Sequence, residues 1–398
     1  MGIILSTLDL INRLKIPHGD IYITGLIDEE TNASGAKALA LEDMKGDLAF
    51  VIDGIGTDEV IYGGADIYAW KVKVGHKEND SETLKAANHA VLKALMSVQY
   101  DDQSYFNRDK NTRFVVTALH SEQSDYIVHD ESRAVADVAH IVFSVKKSAV
   151  LNPKDFADHL KQKTDVLAVK GAKIDFSSLV EEDLIQIKVR FQGKSTHPAL
   201  QNGQDALGYL VTWVKDLGFD GENIEVFAEK MPIHIQQLTA GILTAENFMD
   251  MEKEPEPIWE NHVWLKGQMR PLDLTTSDAQ FKSWGKALSD ACSAQGITCT
   301  TEHKFLNGFK PSIGHSVVRV VRQAYRDLGY KQPKVAGHFG ATNANILYSK
   351  RGAMAVSGTG ARLLHTTSEY LDVADYLKSI ELLTTMVLLS SEYERVDD

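Results

Sequence analysis

Hydrophobic positions in the opening segment recur with two different periods. Ile4, Leu8, Ile11 and Leu14 fall at helical spacing and predict a helix over 2–14. Pro17-His18-Gly19-Asp20 ends it. Residues 21–27 (IYITGLI) are short, β-rich and almost wholly apolar, which predicts a buried strand. The run stops at Asp28-Glu29-Glu30 and passes into Thr31-Asn32-Ala33-Ser34-Gly35, which is loop chemistry. Ala36, Leu39 and Ala40 place a helix over 34–43, and a second apolar run over 48–52 carries Asp53-Gly54 at its end. Helix, strand, helix, strand is the start of a mostly parallel, layered sheet.

After Asp53 the texture changes. Residues 66–74 alternate as a half-buried strand, and 81–97 form a helix with Leu84, Ala87, Val91 and Leu95 on one face. Strands over 113–119 and 138–145 follow, then a helix from Asn152-Pro153. A similar order returns: strand 184–191, helix 204–217, strands 224–227, 234–238 and 263–269, helix 277–294, strand 297–303. The recurrence predicts an internal duplication, with one copy over 66–170 and the next over 184–303. From His315 the α/β texture resumes, with a helix over 317–328, strands 335–340 and 353–356, and a last helix over 373–389. The pattern predicts an α/β domain split in sequence, 1–58 and 313–398, around a doubled α+β insertion whose parts span 59–183 and 184–312.

Composition narrows the function without choosing it. The chain has 398 residues and a formal net charge of −13. That balance speaks against nucleic acid or an anionic membrane surface as partner. Two cysteines, Cys292 and Cys299, give neither a disulfide framework nor a zinc-finger spacing. No uncharged run is long enough to span a bilayer, and no signal peptide opens the chain. A cytoplasmic enzyme or binding protein is the expectation.

Three acids at the ends of two neighbouring buried strands call for a reason. Ligands bind at the carboxyl ends of strands in α/β sheets, and carboxylates gathered there repel one another unless a cation or a proton holds them. A solvated acidic loop and a cation site both fit these residues taken alone. A second cluster sits in the C-terminal part: Gly340-Ala341-Thr342-Asn343-Ala344-Asn345, Gly358-Thr359-Gly360 and His365-Thr366-Thr367-Ser368-Glu369-Tyr370-Leu371. Small residues there let backbone approach a bound group. Carboxylate oxygen with imidazole nitrogen suits zinc, cobalt or manganese.

Together DEE at 28–30, DG at 53–54, GATNAN at 340–345 and HTTSEYL at 365–371 resemble the co-catalytic metallo-exopeptidase and amidase family. That family includes peptidase T, the PepV-type dipeptidases, carboxypeptidase G, aminoacylase and succinyl-diaminopimelate desuccinylase. The resemblance runs over nearly the whole chain and is strongest toward peptidase T. It implies a zinc-exopeptidase-like catalytic domain with an inserted, doubled, ferredoxin-like lid. It implies two divalent ions, zinc with cobalt or manganese as substitutes. Glu29 would be the general base, Glu30 and His365 would hold one ion, and Asp53 the other. His197, in Gly193-Lys194-Ser195-Thr196-His197-Pro198, resembles the lid histidine that stabilises the oxyanion; a histidine capping a strand end is the plain alternative. Arg270 resembles the lid arginine that holds the substrate carboxylate, with a surface arginine as its alternative. Asn343, where many members carry Asp, falls to the substrate side. The doubled lid resembles the PepV type, in which a second copy replaces a partner's lid; it favours a monomer over a homodimer.

The family's first two metal ligands, a His-x-Asp histidine and a bridging aspartate, have no counterpart ahead of the helix over 2–14. The expectation is therefore an N-terminally truncated member and a weakened hydrolase. The leading function is hydrolysis of di- or tripeptides at the N-terminal end. An amidohydrolase on N-acyl amino acids and a catalytically incomplete homologue that only binds ligand are the rivals.

Overall fold

In the computed structural model the described residues are 1–29, 33–39, 41–53, 56–75, 81–100, 112–121, 135–169, 171–197, 203–241, 262–351, 354–362 and 368–391. The chain divides into two compact bodies. One is the split domain, Met1–Ile67 with Leu306–Asp398; the other is the inserted domain, Tyr68–Phe305.

The split domain begins with α1 (Gly2–Leu14), which buries Ile3, Thr7 and Ile11 at four-residue spacing. Lys15 ends it in a left-handed conformation, φ 52°. A short α2 (Ser34–Ala38), β1 (Ala49–Ile52) and β2 (Glu59–Gly64) follow. The inserted domain follows β2. The split domain then resumes with α7 (Ser316–Asp327), β13 (Lys334–His338), α8 (Asn343–Arg351), β14 (Met354–Ser357), the paired β15 (Ala361–Arg362) and β16 (Tyr370–Leu371), and α9 (Val373–Ser391). Its main sheet has the order β1-β14-β2-β13. β1 runs parallel to β14, β2 antiparallel to β14, and β13 parallel to β2. β1 and β14 therefore end at one edge of the sheet, and β2 and β13 at the other. Val317, Val320, Val321 and Ala324 form the apolar stripe of α7, and they pack with Ile3, Val60, Leu382 and Met386 into one core.

Residues 21–27 do not form the buried strand their composition predicts. Tyr22, Ile23 and Ile27 are 52%, 41% and 74% exposed, and only Leu26 packs against a core. An apolar run becomes a strand when a neighbour takes its N–H and C=O groups. β1 takes β14, and among the described residues nothing pairs with 21–27. The helix expected over 34–43 is also short, a single stretch of five residues.

The inserted domain is one eight-stranded sheet, β12-β3-β11-β4-β10-β5-β7-β6. Its strands are β3 (Ile67–Gly75), β4 (Thr112–His120), β5 (Val138–Lys146), β6 (Lys173–Val180), β7 (Leu184–Gln192), β10 (His234–Gly241), β11 (Val263–Pro271) and β12 (Thr298–Leu306), with β8 (Asn223–Val226) and β9 (Glu229–Pro232) forming a separate hairpin. The helices are α3 (Ser81–Ser97), α4 (Pro153–Ala168), α5 (Ala206–Asp216) and α6 (Ser277–Ala294). All four helices share a single hydrophobic core with the sheet. Asn152 caps α4, its Oδ1 accepting from Lys154 N–H at 3.0 Å, and Pro153 opens the helix.

The duplication is present but nested, where two copies in succession were expected. β5-α4-β6-β7-α5-β10 is a βαββαβ unit with sheet order β10-β5-β7-β6. β3-α3-β4 and β11-α6-β12 together form a second such unit, with order β12-β3-β11-β4. Both orders put the fourth strand beside the first, then the third, then the second. The inner unit, 138–241, interrupts the outer one between β4 and β11. The border expected at 183/184 falls in the β6–β7 turn, where Glu181 N–H meets Leu184 O at 2.8 Å. β6 itself, with mostly exposed side chains, shows no clear hydrophobic alternation to predict it.

Candidate functional site

The turn after residues 21–27 is built by backbone. Asp28 adopts φ 64°, outside strand geometry, and Ala33 adopts φ 47°. Ala33 N–H bonds to Asp28 O at 2.5 Å and Gly35 N–H to Ile27 O at 3.2 Å, closing a loop over 27–35. A Cβ on Gly35 would fall 2.7 Å from Ile27 N and 2.9 Å from Ile27 O, so the closure admits only glycine. Glu29 lies in this loop, half buried; Glu30 lies outside the described residues.

Asp53, also half buried, follows the last residue of β1; Gly54 lies outside the described residues. Residues 56–58 are fixed from several sides. Gly358, just past β14, presses on Gly56 so closely that a Cβ would fall 1.7 Å from Gly56 O. Thr57 Oγ1 donates to Asp375 Oδ1 at 2.6 Å, and Arg362 pairs with the other Asp375 oxygen. Lys378 reaches Asp58 at 2.8 Å, and its hydrogen bond and charge hold that carboxyl below the ordinary carboxylate range. Arg362 also pairs with Tyr370 across β15–β16. His365 itself is outside the described residues.

Tyr376, the residue after Asp375, meets Ser6 of α1 at 3.1 Å, and Gly25 lies beside Met1 at the start of α1. Asn343 is half buried and opens α8 after β13, a strand that ends at the opposite edge from β1. Asn345 is the buried organiser there, with its Nδ2 donating to Ala65 O at 3.3 Å and Asn307 O at 3.0 Å. Among the described residues no three His, Cys, Asp or Glu side chains converge in a metal-holding group, and two of the four expected ligands and bases in this domain fall outside that set.

In the inserted domain Arg270 lies on β11 and is 5% exposed. Its Nε donates to Gln268 Oε1 at 2.7 Å. Directly across on β4 stands Arg113, 2% exposed. Phe114 and Val116 turn into the helix-covered core, so Arg113 and Val115 occupy the other face. His197 sits half buried in a loop that starts at Gly193, with 198–202 outside the described residues. Thr196 O accepts from Val135 N–H at 2.9 Å, and Ser195 Oγ donates to Val135 O at 3.1 Å. Val135 packs on Val115, which pairs with Gln268. The inner unit's loop thus reaches the face of the outer unit that holds both arginines. Arg113 was not singled out from the sequence. The signal was there, because alternation in Arg113-Phe114-Val115-Val116 puts the arginine opposite the core.

The fold is a split α/β domain interrupted by a doubled βαββαβ insertion. Over residues 1–389 the sequence matches one family: the chain belongs to the family described as Peptidase family M20/M25/M40, a family of peptidases. Among solved structures, aminopeptidase PepT from Bacillus cereus is 14% identical, with a TM-score of 0.53 over 98% of this chain and 69% of that one. A tripeptidase from Staphylococcus aureus is 14% identical, with a TM-score of 0.55 over 98% of this chain and 69% of that one. At this identity the likeness is one of fold. No curated protein sequence matches this chain. Among the described residues no helix is long and apolar enough to cross a membrane.

Proposed function

We propose that the protein hydrolyses di- or tripeptides from the N-terminal end, using Glu29 as general base. Glu30 and His365 would hold one divalent ion and Asp53 a second, zinc by preference. The donor set suits such ions in kind: carboxylate oxygens from Glu30 and Asp53 with an imidazole nitrogen from His365. When bound, the ions polarise the scissile carbonyl and bring the pKa of water toward neutrality. Glu29 takes a proton from the attacking water and hands it to the leaving amine. His197 donates to the oxygen on which negative charge develops. Arg270 pairs with the substrate carboxylate, and its fork geometry is kept aligned by Gln268.

The observation that carries this reading is the left-handed backbone at Asp28. Adjacent residues of a regular strand point to opposite faces, so Glu29 and Glu30 serve one site only where the chain has left strand geometry. Family membership supports the reaction, and the substrate length follows the aminopeptidase and tripeptidase whose fold this chain shares.

The experiment measures metal content of the purified chain and its activity on di- and tripeptides and N-acyl amino acids, before and after chelation. The expected result is peptide hydrolysis that is lost on chelation and restored by zinc, cobalt or manganese. Glu29→Gln should keep the metal and lose the activity. Exclusive turnover of acyl amino acids, or no turnover by metal-loaded protein, overturns the proposal.

A further inference from the structure

α3 ends in a turn that fixes one side chain for a distant partner. Gln99 is left-handed, φ 55°, its N–H bonds to Met96 O at 2.9 Å, and Tyr100 N–H bonds to Leu95 O at 2.8 Å. Tyr100 is 1% exposed and meets Phe114 edge to face, ring centroids 5.8 Å apart. Its hydroxyl accepts from Val116 N–H of β4 at 3.2 Å and donates to Oδ2 of Asp205. Asp205 is likewise 1% exposed. Its other oxygen caps α5, accepting from Leu207 N–H at 2.9 Å and Gly208 N–H at 3.1 Å. Tyr100 belongs to the outer βαββαβ unit and Asp205 to the inner one, so this hydrogen bond joins the two.

We propose that Tyr100 and Asp205 are positioning residues for His197; the inference rests on the oxyanion role proposed above for that histidine. Asp205 stands at the stem of the His197 loop. The residue before it, Gln204, closes the stem with Lys194, three residues ahead of His197. Lys194 N–H bonds to Gln204 O at 2.9 Å and Gln204 N–H to Lys194 O at 2.8 Å. The residue after it, Ala206, donates its N–H to Ala136 O at 3.0 Å. A Cβ on Gly193 would fall 2.1 Å from Gln204 O, so the two limbs of the stem touch. The Asp205 carboxylate thus fixes one limb, and the Lys194–Gln204 pair passes that placement to the limb that leads to His197. A buried carboxylate held by two amides and a phenol cannot turn without leaving a polar group unpaired. The Tyr100 hydroxyl therefore ties the His197 loop to the unit that carries Arg270.

The test is a double-mutant cycle in the full chain, read by peptide hydrolysis and by hydrogen exchange. Tyr100→Phe fills the same place in the core and removes only the hydroxyl. It should lower kcat by about tenfold with KM unchanged, because a displaced oxyanion donor is felt in the transition state. In a His197→Ala background the same substitution should leave kcat as it is. The Lys194 and Gln204 amides should exchange about tenfold faster in Tyr100→Phe, while those of β7 keep the parental rate. Asp205→Asn, which caps a helix as well as aspartate does, should show the same pattern at smaller size. An active parent with an equally active Tyr100→Phe variant overturns the inference and leaves the proposed reaction standing. An equal loss of kcat with and without His197 overturns it too, since the hydroxyl would then serve the fold at large. Unchanged exchange at Lys194 and Gln204 does the same without reference to activity. A parent that hydrolyses no peptide sinks the proposed reaction itself, and this inference with it.

Discussion

Val135 donates its N–H to Thr196 O at 2.9 Å, and this bond seats the loop of His197 on the face that also carries Arg270. His197 and Arg270 belong to different βαββαβ units, so the pair exists only because the inner unit is joined edge to edge with the outer one through β4 and β10. His197→Ala should lower kcat by about 10²- to 10³-fold, the usual cost of one oxyanion donor. The melting temperature should stay within about a degree or two, because the side chain is half buried outside the core. Steady-state kinetics beside a thermal melt check both; unchanged kcat removes His197 from the reaction.

Arg270→Lys keeps the charge and loses the fork that Gln268 aligns. KM for peptides with a free C-terminal carboxylate should rise by about tenfold or more, while peptides amidated at that end should barely change. Equal effects on both peptide classes would show that the arginine serves the fold instead.

Gly35→Ala places a methyl 2.7 Å from Ile27 N, where only backbone stands. It should cost about 1–3 kcal/mol, as overpacking does, and open the loop over 27–35 that carries Glu29. Urea denaturation measures the first effect and metal affinity the second. A variant as stable and as tightly metal-bound as the parent would mean the loop closure is unimportant.

His89 titrates against stability. It is buried in α3, where Nδ1–H donates to Gly221 O at 2.8 Å and Nε2 accepts from Ile235 N–H at 3.4 Å, so the neutral ring satisfies both bonds. Burial drives its pKa down to about 4. The unfolded chain, with an ordinary imidazole pKa near 6.5, binds more protons between those values. Stability is therefore full above about pH 6.5 and falls as the pH drops toward 4, by up to roughly 3 kcal/mol. Urea midpoints across that range should show the slope, and His89→Phe should flatten it. An identical slope in the variant would assign the acid sensitivity to other groups.

The elements that the sequence announces are those with a complete local signal. Helices over 81–97 and 277–294 have apolar residues at helical spacing and match α3 and α6 end to end. Most strands of the inserted domain were placed within a few residues, while β6 and β9, which carry no clear hydrophobic alternation, were missed. Residues 21–27 failed for a reason local pattern cannot contain: a strand needs a neighbour. The nesting was hidden differently. Strands and helices in the order of β3 through β12 read alike for two copies in series and for one copy inside another. Only the pairing of β11 with β3 and β4 tells them apart. At the candidate site, Glu29 and Asp53 were visible as acids after apolar runs, and the glycine contacts at Gly35 and Gly358 that hold their turns are tertiary facts.

The junctions of the inner unit have a property of their own. Val138, its first strand residue, is paired directly with Gly241, its last, and Trp264 faces His120 across β4 and β11. Entry and exit are therefore adjacent at both levels, as they are in modules that have been spliced into a host hairpin. The inner unit is a cassette. A short turn from β4 to β11 would close the host fold without it and leave β4 as a bare edge, and that edge would lose its hydrogen-bonded neighbour in β10, along with the loop that brings His197 to the arginines.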